Sequence, residues 1–182
     1  MVYVSVRDET QDLHTELEGV PWNIHMFKGD QTETQRLSYL RVWQRIFAHL
    51  DPMVPPFLQR SQKILADMTK LEEHGVTYVN FAPDKLVSDY CDCMKQSLYP
   101  AAHVYLNYMG FLYGGQIMKK RYPDSSSLYE FDDVVYARNW VREYVIPAEN
   151  HKTYSAYITE VRNAFEYHIA ISYQLGELHN VE

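Results

Sequence analysis

Between Thr32 and Leu50 the apolar residues Leu37, Leu40, Trp43, Phe47 and Leu50 recur at steps of three and four. That is the repeat of one helix face, and a strand would scatter these side chains over both of its faces. Thr32 with Gln35 three residues later supplies a capping-box start, and Pro52, Pro55 and Pro56 supply the stop. The same repeat marks a first helix from Val4 to Glu18, through Val6, Leu13 and Leu17, that ends before Gly19 and Pro21. Phe57, Ile64, Leu65, Met68 and Leu71 mark another up to Gly75, antiparallel to the helix before it because the connection is short. Further helices are expected after Asp84, from about Ala101 to Arg121, from Val134 to Tyr144, and from Pro147 to about Leu178 with the proline in the first turn. Tyr122 to Asp133, with Pro123 and Ser125 to Ser127, reads as a loop. No stretch alternates in the manner of a strand and no repeat is present, so the expectation is an all-α, single-domain helical bundle over residues 1–182.

Charge and composition narrow the function. A formal charge of -7 argues against broad nucleic-acid binding. The cluster Lys119, Lys120 and Arg121 stands where cations complement the end of a helix dipole. No apolar run reaches the length of a membrane span, and the first residues lack the pattern of a signal peptide, so a soluble, cytoplasmic protein is expected. Cys91 and Cys93 are too few for a disulfide framework and lack the paired spacing of a zinc site, which leaves free thiols as the expectation.

Three groups of residues can carry chemistry. Arg7, His14 and Glu18 stand at steps of seven and four, so one helix would project all three from about the same side. Arg7 would lie about 10 Å from His14 along the axis, which suits an axial ligand for iron together with an anchor for an anionic group. A carboxylate one turn from the histidine could orient its ring. An ordinary solvated helix face fits the same spacing. Gly110, Gly114 and Gly115 are three of the seven glycines of the chain, and they fall within six positions of a helix-like segment. Each costs roughly 1 kcal/mol there relative to alanine, which close packing or a bend must offset. Small-residue helix crossing and the close approach of something flat both satisfy that demand. Arg138 and Arg142, one turn apart near Trp140, can form charge-assisted bonds to carboxylates or simply face solvent.

Taken together, Leu13-His14-Thr15-Glu16-Leu17-Glu18 and Tyr105-Leu106-Asn107-Tyr108-Met109-Gly110-Phe111-Leu112-Tyr113-Gly114-Gly115-Gln116 resemble the heme oxygenase family in order and separation. A weaker likeness runs through Arg138 to Arg142 and Asn163-Ala164-Phe165. The resemblance implies a heme sandwiched between a proximal N-terminal helix carrying His14 and a glycine-bent distal helix carrying Gly110, Gly114 and Gly115. It implies propionate anchors at Arg7, Tyr105, Arg138 and Arg142, and Phe165 in the pocket wall. The implied activity is oxidative opening of heme to biliverdin, carbon monoxide and iron, with a soluble electron donor such as ferredoxin. One position departs from the family pattern. The residue after the first glycine of the distal motif is an aspartate in the family, where it anchors the water that delivers protons, and here it is Phe111. Phenylalanine cannot hold water in that way. Asn107 also stands where the family has an arginine. Either Tyr113, Asn107, Gln116 or His168 organises the distal water instead, or the chain is a heme-binding or peroxidase-like relative.

Overall fold

The computed structural model describes residues 5–77 and 83–182, and all regular structure among them is helical. In chain order the helices are α1 (Val6–Glu9), α2 (Gln11–Gly19), α3 (Pro21–Lys28), α4 (Glu33–Leu50), α5 (Ser61–Glu73), α6 (Asp84–Gln96), α7 (Pro100–Arg121), α8 (Val134–Tyr144) and α9 (Tyr154–His179). The apolar faces of α4 and α5 pack together, and α9 runs through the middle of the molecule against α2, α3, α4, α6 and α7. Fully buried Leu37, Leu40, Ile46 and Phe47 on α4 share one continuous core with Val161, Ala164 and Phe165 of α9. No helix among the described residues is long and apolar enough to cross a membrane.

Local chemistry explains where the helices begin and end. The Thr32 hydroxyl accepts the Gln35 amide and the Gln35 side chain accepts the Thr32 amide, so the capping box forms as its sequence predicts. Asp51 is buried, and its carboxylate accepts the backbone amides of Arg60 and Ser61 at 2.9 and 2.8 Å, which satisfies the open start of α5. The Tyr108 hydroxyl donates to the same carboxylate at 2.7 Å and ties α7 to that corner.

Four expectations are corrected. The helix drawn from Val4 to Glu18 is two helices, and Val4 itself lies outside the described residues. The break falls at buried Thr10, whose hydroxyl donates to the Val6 carbonyl at 2.8 Å and competes with the helical ladder. Pro21 does not only stop a helix; it occupies the first turn of α3, where its missing amide hydrogen costs nothing. Phe57 precedes α5 in a turn and packs its ring 5.1 Å from that of Tyr136. The last helix starts at Tyr154, and Pro147 lies in the connection before it.

The segment from Tyr122 to Asp133 carries two short 3-10 turns and is fastened at buried sites. Arg36 of α4 donates to the Ser125 side chain and carbonyl at 3.1 and 2.8 Å, and its guanidinium stacks on Tyr39 and Tyr122. Ser127 donates to Asp67 of α5, and the Leu128 amide donates to the same carboxylate. This loop is therefore a wall of the core and not a free connection.

Candidate functional site

His14 sits on α2 with its imidazole half-buried and edge-on to Phe165 of α9, ring centroids 4.5 Å apart. Phe165 is fully buried and gives the ring a rigid backing. No hydrogen bond joins the imidazole to any described residue. Burial pulls its pKa below the usual histidine value and Arg7 adds to this, while Glu18 opposes it, so the ring is neutral with a lone pair free. Glu18 is exposed and acts on His14 only through its charge, not as a ring-orienting hydrogen-bond acceptor.

Residues distant in sequence gather on one stretch of α7. Burial pushes the Tyr105 phenol up to about 12, with Tyr113 and Tyr154 adding to the shift and the charges of Arg7 and Arg142 opposing it. The charges of Arg7 on α1 and Arg142 on α8 are thus both felt at one tyrosine on α7. Arg142 is exposed and donates to the Tyr113 hydroxyl. Arg138 lies over the Tyr113 ring at 3.9 Å and donates its Nε–H to the Leu112 carbonyl at 3.1 Å. Arg138 does not face outward freely; it is held against α7. The result is a cationic rim on α7, with Arg138 and Arg142 beside Tyr113 and the charge of Arg7 acting on Tyr105.

The three glycines of α7 do different things. The helix runs through them without interruption. At Gly110 the helix surface is exposed, and a Cβ placed there would meet nothing within 4 Å. At Gly114 it would make an ordinary 3.5 Å contact with Phe27. At Gly115 it would stand 2.5 Å from Cδ1 of Tyr129, so this glycine lets the loop ring pack against α7 and turns away from the Gly110 surface. Spacing alone could not separate these roles.

Phe111 points into the core and is 5% exposed. Its ring lies 4.7 Å from Phe47, 5.2 Å from Tyr129 and 5.6 Å from Trp43. Around this aromatic cluster three buried polar atoms lack a hydrogen-bond partner among the described residues: Trp43 Nε1, Asn107 Oδ1 and His168 Nε2. The Trp43 ring meets both Phe111 and His168, the latter at 5.0 Å. Buried polar atoms of this kind ordinarily have partners, so each of these three keeps free hydrogen-bonding capacity. The other polar groups considered from sequence are already engaged, Gln116 with the Tyr129 carbonyl at 3.1 Å and Tyr113 with Arg142. Trp43 escaped the sequence reading because its position on the apolar face of α4 gives it a sufficient core role.

A profile of the heme oxygenase family matches residues 2–174, and the chain belongs to that family. No curated protein matches it in sequence. Among solved structures it is similar to heme oxygenase-1 of the cyanobacterium Synechocystis in complex with heme. There the TM-score is 0.79 and the identity 19%, over 96% of this chain and 92% of that one. Heme oxygenase-2 of the same organism, in complex with heme and NO, gives a TM-score of 0.77 and 20% identity over 95% of this chain and 84% of that one. The heme oxygenase of Leptospira interrogans gives 0.75 and 19% over 92% and 96%. The all-helical fold is therefore that of the heme oxygenases. The residues present also fit a heme: a neutral imidazole with no partner, bare backbone at Gly110 and a cationic rim for carboxylates.

Proposed function

We propose that residues 1–182 act as one heme oxygenase-like domain that binds heme as substrate and cofactor and opens it to biliverdin, carbon monoxide and iron. Molecular oxygen and electrons from an external donor, a soluble protein such as ferredoxin, complete the reaction. The observation that carries this reading is the unpartnered, half-buried imidazole of His14 backed by Phe165, with the charge of Arg7 acting on both that ring and Tyr105. Bound heme supplies the iron that binds oxygen and the macrocycle that is oxidised.

The chain's own residues hold, orient and shield. His14 offers a neutral ring nitrogen to the metal, and Phe165 fixes the plane of that ring. Arg7 and Arg142 offer charge-assisted hydrogen bonds to the propionates, Tyr105 adds a hydroxyl, and Arg138 adds positive charge from its seat on Leu112. Gly110 leaves room for a flat ligand to approach the backbone of α7. Phe111 fills with hydrocarbon the place where the family keeps a carboxylate. The unpartnered atoms of Trp43, Asn107 and His168 are the groups that can hold a proton-delivering water in its stead.

The burial of Phe111 favours a second reading, in which heme is bound without ring opening or is used in peroxidase fashion. A single-turnover experiment separates the two. Heme complex supplied with ascorbate or reduced ferredoxin, in the presence of catalase, should lose its Soret band and yield biliverdin on chromatography. An intact heme spectrum with no bilin would overturn the oxygenase reading in favour of the second.

A further inference from the structure

Cys93 is half of a C-x-C pair in sequence, but its partners in space come from elsewhere. Cys91 is buried and faces the Arg45 carbonyl, whereas Cys93 is half-exposed beside His103 of α7 and Glu160 of α9. The Cys93 Sγ, one imidazole nitrogen of His103 and one carboxylate oxygen of Glu160 all lie within 4.8 Å of one another. Cys93 and Glu160 line an open surface pocket of about 730 Å³, floored between α6 and α9 with Ser97, Tyr99 and Tyr167 also on its walls.

From these positions we propose that Cys93, His103 and Glu160 form a binding site for a zinc-like divalent cation, with a fourth position open to the pocket. A thiolate, an imidazole and a carboxylate are the ligand types that zinc combines, and three protein ligands with an open position make a site that can take water or a further ligand. Zinc bond lengths of about 2.0–2.3 Å require ligand separations of roughly 3.3–3.6 Å. His103 Nε2 and Glu160 Oε1 are 2.8 Å apart and hydrogen-bonded, so the carboxylate must back away slightly and Cys93 must close in. Cys93 is half-exposed and Glu160 partly exposed on the pocket wall, while His103 is fully buried and fixed.

The surroundings already orient the ligands. The Tyr90 hydroxyl lies 3.2 Å from His103 Nδ1 and is itself held by the Asn107 amide at 3.1 Å. Ser97 donates to Glu160 at 2.6 Å, and Asn163 donates to its other oxygen at 3.4 Å. Such outer contacts set ring orientation and ligand basicity in metal sites. Burial lowers the His103 pKa, leaving the ring neutral, and burial together with the Glu160 charge raises the Cys93 thiol pKa. Cation binding takes the thiol proton of Cys93 to solvent. The His103 proton, on Nε2 while the ring donates to Glu160, moves to Nδ1 facing the Tyr90 oxygen, so the ring stays neutral and Nε2 is freed for the cation. One thiolate and one carboxylate then balance the double charge.

The test uses the heme-free full chain and is independent of the heme reading. Titration with Co2+ should give one equivalent of binding with a near-ultraviolet thiolate-to-cobalt band, displaced by Zn2+. Cys93→Ser should abolish the band, Glu160→Gln should weaken binding at least about tenfold, and Cys91→Ser should leave the band in place, all with unchanged circular dichroism. Absence of the band in the wild-type chain would overturn the site. So would a band that survives Cys93→Ser or disappears with Cys91→Ser.

Discussion

Gly110 and Gly115 are five residues apart on one helix and make opposite demands. At Gly110 nothing obstructs a side chain, so Gly110→Ala should stabilise the heme-free protein by about 0.5–1 kcal/mol through helix propensity. A larger side chain there, as in Gly110→Leu, should leave the fold intact and weaken heme binding at least about tenfold, roughly 1.4 kcal/mol. At Gly115 the added methyl meets the Tyr129 ring, and Gly115→Ala should destabilise by about 1–3 kcal/mol. Urea denaturation of the three variants checks both signs, and equal effects at the two positions would contradict this division of roles. Phe111→Asp restores the family's residue type but places a carboxyl among Trp43, Phe47 and Tyr129. It should cost about 3–5 kcal/mol, as the loss of a buried ring combined with an unpaired polar group implies. A urea midpoint equal to wild type would show that the cluster already contains room and partners for the carboxyl.

At the scale of elements, the position of α2 decides where His14 stands, and α9 fixes it. Arg162 donates two hydrogen bonds to the Asp12 carboxylate, at 2.8 and 2.6 Å, and one to the Glu9 carbonyl at 2.9 Å. Asn23 closes the far end by donating to the Leu17 carbonyl at 2.7 Å and to Ser172 of α9 at 3.2 Å. Arg162→Ala should speed amide hydrogen exchange across α2 while sparing α4 and α5, and uniform protection would mean that the pair does not hold the helix. The strongly periodic α4 and the bounded α8 were legible in the sequence because their apolar faces and end signals agree. The start of α3 was not, since Pro21 after Gly19 reads equally as an end or a beginning. Nor was the anchoring of the Tyr122–Asp133 loop, which depends on Arg36 and Asp67 reaching across more than fifty residues of chain. Motif residues fared likewise. His14 and the glycines could be singled out by spacing, but the seating of Arg138 and Arg142 on Tyr113 is a product of packing between α7 and α8.

For the whole molecule, buried histidines make acid the condition to avoid. Burial pulls the His168 pKa down to about 3 from 6.5, with the nearby His103 adding to the shift. His14, His49, His103 and His179 are lowered as well, each chiefly by burial. A histidine that is harder to protonate when folded lets the unfolded chain take up the proton first. Its contribution is complete above about pH 6.5 and is lost as the pH falls toward 3, by up to about 1.4 kcal/mol per pH unit for His168 alone. Thermal melts should show a lower Tm at pH 5 than at pH 7, with a smaller difference in His168→Phe. A Tm that does not change between these values would contradict the neutral, buried state of that ring.

If His14 on α2 holds heme against the Gly110 surface of α7, titration with heme followed by absorption will report it. The wild-type chain should bind one equivalent and show the spectrum of an imidazole-ligated heme. His14→Ala should lose that spectrum and recover it when free imidazole is added. Identical spectra for the two proteins would place the iron on another residue and contradict the account.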